Sequence, residues 1–537
     1  MPDVAATLVD ERKAFAADWI ARHAQRFSVF NAEIWNYAEP AWREYRSAAA
    51  YVSLLREEGF AVEVGSGGMP TAFAAEWGRG GPVLGTYAEY DAVPGNSQAV
   101  VPYRAPRPGL HPWAAGHTDP HSSLGTAALI GALAAKATLA HFGIPGTIRF
   151  MGEPAEKMCG SKPVHAAKGY LDGTDAFVAY HPHRANTVAS ATQCGAYWSA
   201  VFTFECLMPE RWIDKSLLPI NLPHADARCP GAIDALCLMY TTTKYTKEAM
   251  FPHTGTWTLN EFILAAGDAT SDNLPPRFAQ IQYAARAPAL SILQRVFDVL
   301  ERNARAAAEA TGCRASRRWV TKTRIGLPNQ AMSELAFANM RLIGAPRFPD
   351  AARAFARQIQ RNLGLAEMES PFAPENEMLT EPSDYEASLR RALPPWQENF
   401  TSDDYVEYTW HAPTVRIFTM RPTLRPPEPA YAYPAWTANA LGGFSAAIDP
   451  GMFLAGRTIA VTFLDLATRP EVLAAARAEF FARTGGGVGG TQWCAPLLPH
   501  DFAPPVDLRW PEYVRAARGE EWWLPTPAEG SGTGEPL

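Results

Sequence analysis

No run of eighteen apolar residues occurs anywhere in the chain, so nothing in it reads as a membrane span. Clusters of lysine and arginine are missing too, and a formal charge of −7 at pH 7 turns the chain away from nucleic acid as a main partner. Cys-x-x-Cys is absent. The seven cysteines (159, 194, 206, 229, 237, 313 and 494) are odd in number and widely spread, which argues against a disulfide framework and for reduced thiols in the cytoplasm. The first thirteen residues carry acidic side chains and no apolar core, so no secretory signal is expected there. There are no internal repeats, and only the last fifty residues are biased, toward Pro, Trp and Gly; we read them as a wrapping extension that frays over 529–537. What is present is ordinary globular composition, 47% hydrophobic and 19% charged over 537 residues, enough for two or three domains with large cores.

The chemistry concentrates between Gly116 and Leu124, Gly-His-Thr-Asp-Pro-His-Ser-Ser-Leu. His117, Asp119 and His121 alternate along this stretch, and on extended backbone alternation sends the three side chains roughly the same way. The residues from Gly125 to Lys136 read as a helix, which puts the cluster in a turn at a helix N-terminus. Imidazole and carboxylate suit zinc or another divalent transition metal. The competing reading is a polar loop whose histidines cap the helix.

Around that stretch the periodicity predicts helices over 5–26 and 47–59, with Ser47 a plausible N-cap of the second. Short strands follow at 60–64, 71–77 and 83–88, then a helix over 123–142, a strand at 146–151, a helix near 161–169 and a strand at 176–180. Strands alternating with helices imply a largely parallel sheet covered on both faces, with functional residues where strands end. From about residue 195 the order becomes a strand (197–206), an irregular segment (207–230), a helix (231–248), strands near 256–265 and 278–287, a helix (288–311) and a strand near 318–324. Helices at 328–342 and 350–363, strands near 404–410 and 415–419, and helices at 449–468 and 470–484 return to the first pattern. The expected fold is α/β. A mostly parallel sheet domain is built from 1–194 and 326–485, an α+β domain is inserted at 195–325, and an extension covers 486–537.

Several blocks then fall into a recognisable order: Ile34-Trp35-Asn36-Tyr37-Ala38-Glu39-Pro40, Gly68-Met69-Pro70-Thr71-Ala72, Ala88-Glu89-Tyr90-Asp91-Ala92-Val93-Pro94-Gly95, Pro154-Ala155-Glu156, Tyr180-His181-Pro182, and Leu327-Pro328-Asn329 through Asn339-Met340. In these the chain resembles the M20 metallopeptidase/amidohydrolase family, in particular its aminobenzoyl-glutamate hydrolase and aminoacyl-amide hydrolase branch. The resemblance covers about residues 30–485, apart from an insertion near 208–222 and an altered stretch near 365–435. It implies a zinc-exopeptidase-like sheet domain that usually holds two metals, and a lid that also forms the dimer interface.

The same resemblance implies roles for particular residues. Asp119 falls on the bridging ligand and His121 on the loop histidine, while His181 follows as the His-Pro ligand. Glu156 falls on the general base, but the metal-binding glutamate after it has become Lys157, and the family's late histidine aligns with Pro434-Ala435-Trp436. Asp119, His121 and His181 would then hold one divalent transition metal per chain, zinc or manganese, with Lys157 placing positive charge where a second ion sits in relatives. Asp91 either orients His121 through a hydrogen bond or caps a turn, and His117 is expected beside the ligands rather than among them. His183 and His411 are spare imidazoles that could replace a lost ligand. Bland alternatives stay open: a surface ion pair of Glu156 and Lys157, and a core histidine at His181. On the lid, His224 falls on a histidine that stabilises the oxyanion in a partner's site, and Asn273 and Arg286 on a clamp for the substrate carboxylate, the bland alternative for Arg286 being a solvated strand-end arginine.

The activity this implies is metal-dependent hydrolysis of a C–N amide bond in a small, carboxylate-bearing, aromatic substrate, by a homodimer or higher homo-oligomer. Two alternatives are hydrolytic deamination of an aromatic amine, as in nitroanthranilate aminohydrolases, and a non-catalytic binding relative. The family's cis peptide after the bridging ligand also predicts a cis Asp119–Pro120 bond, since proline lowers its cost to roughly 0.5–1 kcal/mol.

Overall fold

The computed structural model describes residues 10–108, 110, 113–208, 230–254, 256–266 and 276–508, and the backbone of 512–516, 519–523 and 535–536. His224 and Asn273 lie outside the described residues. The chain begins with α1 (Glu11–Tyr37), N-capped by the Asp10 carboxylate, which accepts the Arg12 N–H at 2.9 Å, and α2 (Tyr45–Glu57). Strands β1 (Ala61–Val64), β2 (Phe73–Arg79) and β3 (Val83–Ala88) lead through a long loop to α3 (His121–Phe142). Then come β4 (Gly146–Gly152), α4 (Lys162–Ala167), β5 (Ala176–His183) and β6 (Thr187–Val188).

These strands, with the much later β12, form one seven-stranded sheet in the order β1-β2-β4-β3-β5-β12-β6; β12 spans Thr414–Met420. β3, β4, β5 and β12 are mutually parallel and central, and β2 and β6 run against them. The residues that follow β3 and β4 and those at the end of β5 therefore meet on one rim of the sheet, where open α/β sheets place their chemistry.

A second sheet is built from β7 (Cys194–Glu205), β8 (Thr258–Ala266), β9 (Phe278–Ala287) and β10 (Arg314–Lys322), paired antiparallel in the order β10-β7-β9-β8. Helices α5 (Ala232–Met250) and α6 (Leu290–Thr311) pack on one face of it over a core that includes Phe202, Ile281, Leu293 and Phe297. The chain then adds α7 (Gln330–Ile343), α8 (Asp350–Asn362), α9 (Pro382–Ala392) and β11 (Phe400–Ser402), the last pairing parallel with β7. After β12 come α10 (Ala435–Gly443), α11 (Ser445–Thr468) and α12 (Pro470–Thr484).

Two expectations are corrected here and one is refined. Residues 404–410 form a 3-10 helix and not a strand. The Asp403 carboxylate caps it by accepting the Tyr405 N–H at 3.1 Å, and Glu407 turns inward to bind the buried Arg324 guanidinium at 2.7 Å. Two helices, α3 and α11, have the length and hydropathy of a membrane span, although neither is an unbroken apolar run. Both are mostly buried and pack on each other in the core of the first sheet domain. Finally, Gly81–Pro82 is the only cis peptide bond among the described residues, so Asp119–Pro120 is trans. Pro120, at φ −74°, serves as the N-cap residue of α3, and the Asp119 carboxylate is aimed by its own ionic partners.

Candidate active site

Beyond β3 the chain stays extended through Glu89-Tyr90-Asp91, so Glu89 and Asp91 face one side and Tyr90 the other, where its hydroxyl donates to the Thr71 carbonyl at 2.6 Å. Both carboxylates are fully buried. Asp91 joins two loops: Oδ1 accepts from His121 Nδ1 at 2.6 Å, and Oδ2 accepts the Lys157 backbone N–H at 2.8 Å. That bond fixes the His121 ring with Nε2 toward the rim. His181 is set the same way, its Nδ1 donating to the Pro182 carbonyl at 2.7 Å, which leaves Nε2 with a lone pair.

Asp119 Oδ2 stands 3.8 Å from His121 Nε2 and 3.5 Å from His181 Nε2. Glu89 Oε2 is 3.3 Å from His121 Nε2 and has no hydrogen-bond partner among the described residues; its other oxygen takes the Lys162 ammonium at 2.7 Å. Donor atoms about 2.0–2.2 Å from a shared ion stand roughly 3.3–3.6 Å apart. Glu89, His121 and His181 offer ligand atoms within 4.8 Å of one another, with Asp119 Oδ2 beside both imidazoles, and the orphaned Glu89 oxygen is what a divalent cation there would satisfy.

Glu156 begins a 3-10 turn, Glu156–Met158, flanked by two non-glycine residues in the left-handed region, Ala155 (φ 55°) and Cys159 (φ 52°). Glu44 holds the strained start, its Oε1 accepting the Ala155 N–H at 2.8 Å. The turn puts Glu156 Oε2 3.3 Å from His121 Nε2. Burial and the Glu89 carboxylate raise the Glu156 carboxyl to about 7, against the pull of His121 and Lys157. The Lys157 ammonium lies against Asp119 Oδ1, 2.8 Å from His121 Nε2 and 3.9 Å from Glu156 Oε2. Burial alone would lower the Lys157 pKa, but Asp119 and Glu156 raise it. At His121, burial and Lys157 oppose the proton while Glu89 and Asp91 favour it, and the balance is pushed up to about 9. His121 and Lys157 supply positive charge to these clustered carboxylates.

The rim opens into a cavity of about 280 Å³ whose walls include Arg286, Tyr385, Ser402, Arg416 and Phe418. Arg416 pairs with Asp403 at 2.5 Å and lies 4.2 Å over the Tyr405 ring, though its Nε has no hydrogen-bond partner among the described residues. Arg286 instead donates to the carbonyl and hydroxyl of Ser402, both at 3.2 Å, with its guanidinium 5.2 Å over Tyr197. It is the arginine better placed to meet an incoming carboxylate.

The structure thus brings together Asp91, Asp119, His121, Glu156, Lys157 and His181, and sets Arg286 in the same cavity. His117 is buried beside the cluster, its Nε2 3.4 Å from the Ile34 carbonyl, and burial, with the nearby His121 charge, lowers it to about 3. His183 lines the cavity 3.4 Å from the Tyr385 hydroxyl, and His411 pairs with Asp172 at 2.8 Å. Sequence reasoning missed Glu89, Asp404 and Arg416. For Glu89 a signal existed, since it lies two residues before Asp91 on one extended segment. Asp404 and Arg416 arrive from the altered stretch, and nothing local marks them.

No family model matches the chain. It is 27% identical to one of the subunits of the p-aminobenzoyl-glutamate hydrolase of Escherichia coli over 466 residues, 84% of this chain and 91% of that protein. It is also 27% identical to the mouse Xaa-Arg dipeptidase over 314 residues, 56% of this chain and 64% of that one. Among solved structures, it is similar to an aminobenzoyl-glutamate utilization protein from Klebsiella pneumoniae (14% identity, 81% of this chain and 98% of that chain, TM-score 0.49). Another is a dinuclear metal-binding peptidase of the M20 family from Bacillus subtilis (16% identity, 81% and 98% coverage, TM-score 0.41).

Proposed function

We propose that the chain is an amidohydrolase of the M20 metallopeptidase/amidohydrolase family that cleaves the amide bond of a small, aromatic, carboxylate-bearing substrate at a single-metal site. The observation that carries this reading is the convergence of Asp119 Oδ2, His121 Nε2 and His181 Nε2 beside a buried Glu156 raised to about 7.

His121 and His181, with Asp119 and Glu89 beside them, would hold one ion, zinc or manganese. When bound, it supplies Lewis acidity toward water and the scissile carbonyl. Glu156 takes the proton of the attacking water and returns it to the leaving nitrogen, work suited to a carboxyl whose pKa lies near the working pH. Asp91 keeps the His121 ring in place. Lys157 offers positive charge to the developing oxyanion, and the family resemblance gives the same task to His224, outside the described residues, in a homodimer formed through the 195–325 domain. Arg286, with Asn273, clamps the substrate carboxylate, and the Tyr385 and Phe418 rings receive its aromatic part in a cavity of about 280 Å³. The spread of cysteines favours a cytoplasmic enzyme.

Elemental analysis paired with a substrate screen tests this. We expect close to one divalent metal per chain, removable by chelators, and cleavage of N-acyl or N-aminobenzoyl amino acids. Two tightly held ions per chain would end the single-metal reading. Release of ammonia from aminobenzoates, with amides untouched, would transfer the chain to aromatic deamination.

A further inference from the structure

On the other flank of Glu156 lies a group of donors that the reaction above does not use. The Cys159 thiol, a carboxylate oxygen of Asp404 and one of Glu156 lie within 4.8 Å of one another. Asp404 is fully buried, and its Oδ2 has no hydrogen-bond partner among the described residues; only Oδ1 is answered, by Lys162 at 2.6 Å. Cys159 is 3% exposed and lines the cavity wall, so an ion arriving through the cavity reaches it. Its backbone sits at φ 52°, a conformation that disfavours any residue but glycine and persists only where surrounding structure enforces it. Here it turns a soft donor toward two hard ones.

We propose that Glu156, Cys159 and Asp404 form a second cation site, distinct from the Asp119–His121–His181 set, that takes a thiophilic divalent ion of the zinc class and silences the enzyme by occupying its base. Sulfur selects zinc, cadmium and similar borderline-soft ions over magnesium or calcium, and the two carboxylates complete an open three-donor site. The orphaned Asp404 oxygen gains the partner it lacks. Binding forms the sulfur–metal bond as the thiol proton leaves to solvent, so it needs no oxidant or other reactant. Metal–sulfur and metal–oxygen bonds of roughly 2.3 and 2.1 Å require the three donors to close to about 3.3–3.6 Å from one another, a shift within reach of side-chain rotation. The existence of the site rests on geometry alone. Its effect on turnover rests on Glu156 being the base, and the two can be told apart.

The experiment uses the full-length enzyme already loaded with its one ion. Adding cadmium should bring a second equivalent onto the chain and a thiolate-to-cadmium charge-transfer band in the near ultraviolet. Excess zinc should bind in its place, suppress the band and abolish turnover in the same concentration range. Cys159→Ser should lose the band, and Glu156→Gln should weaken cadmium binding at least tenfold. The second variant decides the matter should the first not fold. A wild-type enzyme with no band, or a band unchanged in Cys159→Ser, would overturn the site. A band that forms while turnover continues would leave the site standing and overturn its inhibitory role.

Discussion

Glu156 is a carboxyl that the protein keeps from ionising at its ordinary value. Burial removes the solvation of its charged form and the neighbouring Glu89 repels it, so its pKa rises from 4.5 to about 7 even with Lys157 and His121 nearby. Catalysis as a base needs the ionised form. kcat/KM should therefore climb with pH and level off above about 7, its acid limb reporting this group. Glu156→Gln should lower kcat by about a hundred- to ten-thousand-fold, flatten that limb and leave metal content unchanged. A variant with most of its activity and the same pH profile would remove Glu156 from the chemistry. The Lys157 next to it has a distinct role: its ammonium lies against Asp119 and 2.8 Å from His121 Nε2, so it would have to swing aside for both groups to ligate the proposed ion.

At the scale of elements, the turn that carries Glu156 is held by a strut from α2's N-cap. Glu44 accepts the Ala155 N–H through Oε1 and the Thr71 hydroxyl through Oε2, at 2.8 and 2.9 Å. Burial, with Asp91 adding to it, raises Glu44 to about 8. A carboxyl whose pKa is higher folded than unfolded stabilises fully below its unfolded value, near 4.5, and that contribution is lost as pH rises toward about 8. Glu44→Gln keeps the acceptor for Ala155 and removes the titration. Its melting temperature relative to wild type should therefore rise between about pH 5 and about pH 9. A difference independent of pH would show that Glu44 is already ionised in the fold. Strut and turn also show what a sequence can reveal. That Asp119, His121, Glu156, Lys157 and His181 lie together is legible in the sequence, because each sits in a short block of recognisable local order. Glu89 was hidden by its neighbour Asp91, and Asp404 and Arg416 were hidden because their partners, Lys162 and Tyr405 among them, are set by tertiary packing. The 3-10 helix at 404–410 was misread as a strand because its apolar and aromatic residues alternate while the deciding contacts, the Asp403 cap and the Arg324–Glu407 pair, are not periodic.

The whole molecule is organised on the crossing of α3 and α11. α3 starts at His121, so its placement sets the position of the active-site imidazole, and α11 is the element it packs on most closely. The two helices approach closely because a glycine stands on each side of the contact. A Cβ on Gly131 would come 2.5 Å from Ile459, and one on Gly456 would come 2.6 Å from Ile130 Cγ2 and 3.1 Å from the Ala127 carbonyl. Separations that short force the helices apart, with no flexible side-chain end to give way. In an exposed helix, replacing glycine by alanine stabilises by about 1 kcal/mol. Here the sign should reverse: Gly456→Ala should destabilise by about 1–3 kcal/mol, as overpacked cores do. Displacement of α3 should also lower metal affinity, because His121 opens that helix. Ile130→Ala deletes the Cγ2 that the new methyl meets but keeps the Cβ 2.8 Å from it, so the double variant should be only partly relieved, less destabilised than the sum of the two single variants by about 0.5–1 kcal/mol. Denaturant melts of the four proteins measure this directly. Additive effects, or a Gly456→Ala variant more stable than wild type, would mean that the crossing is looser than its glycines require.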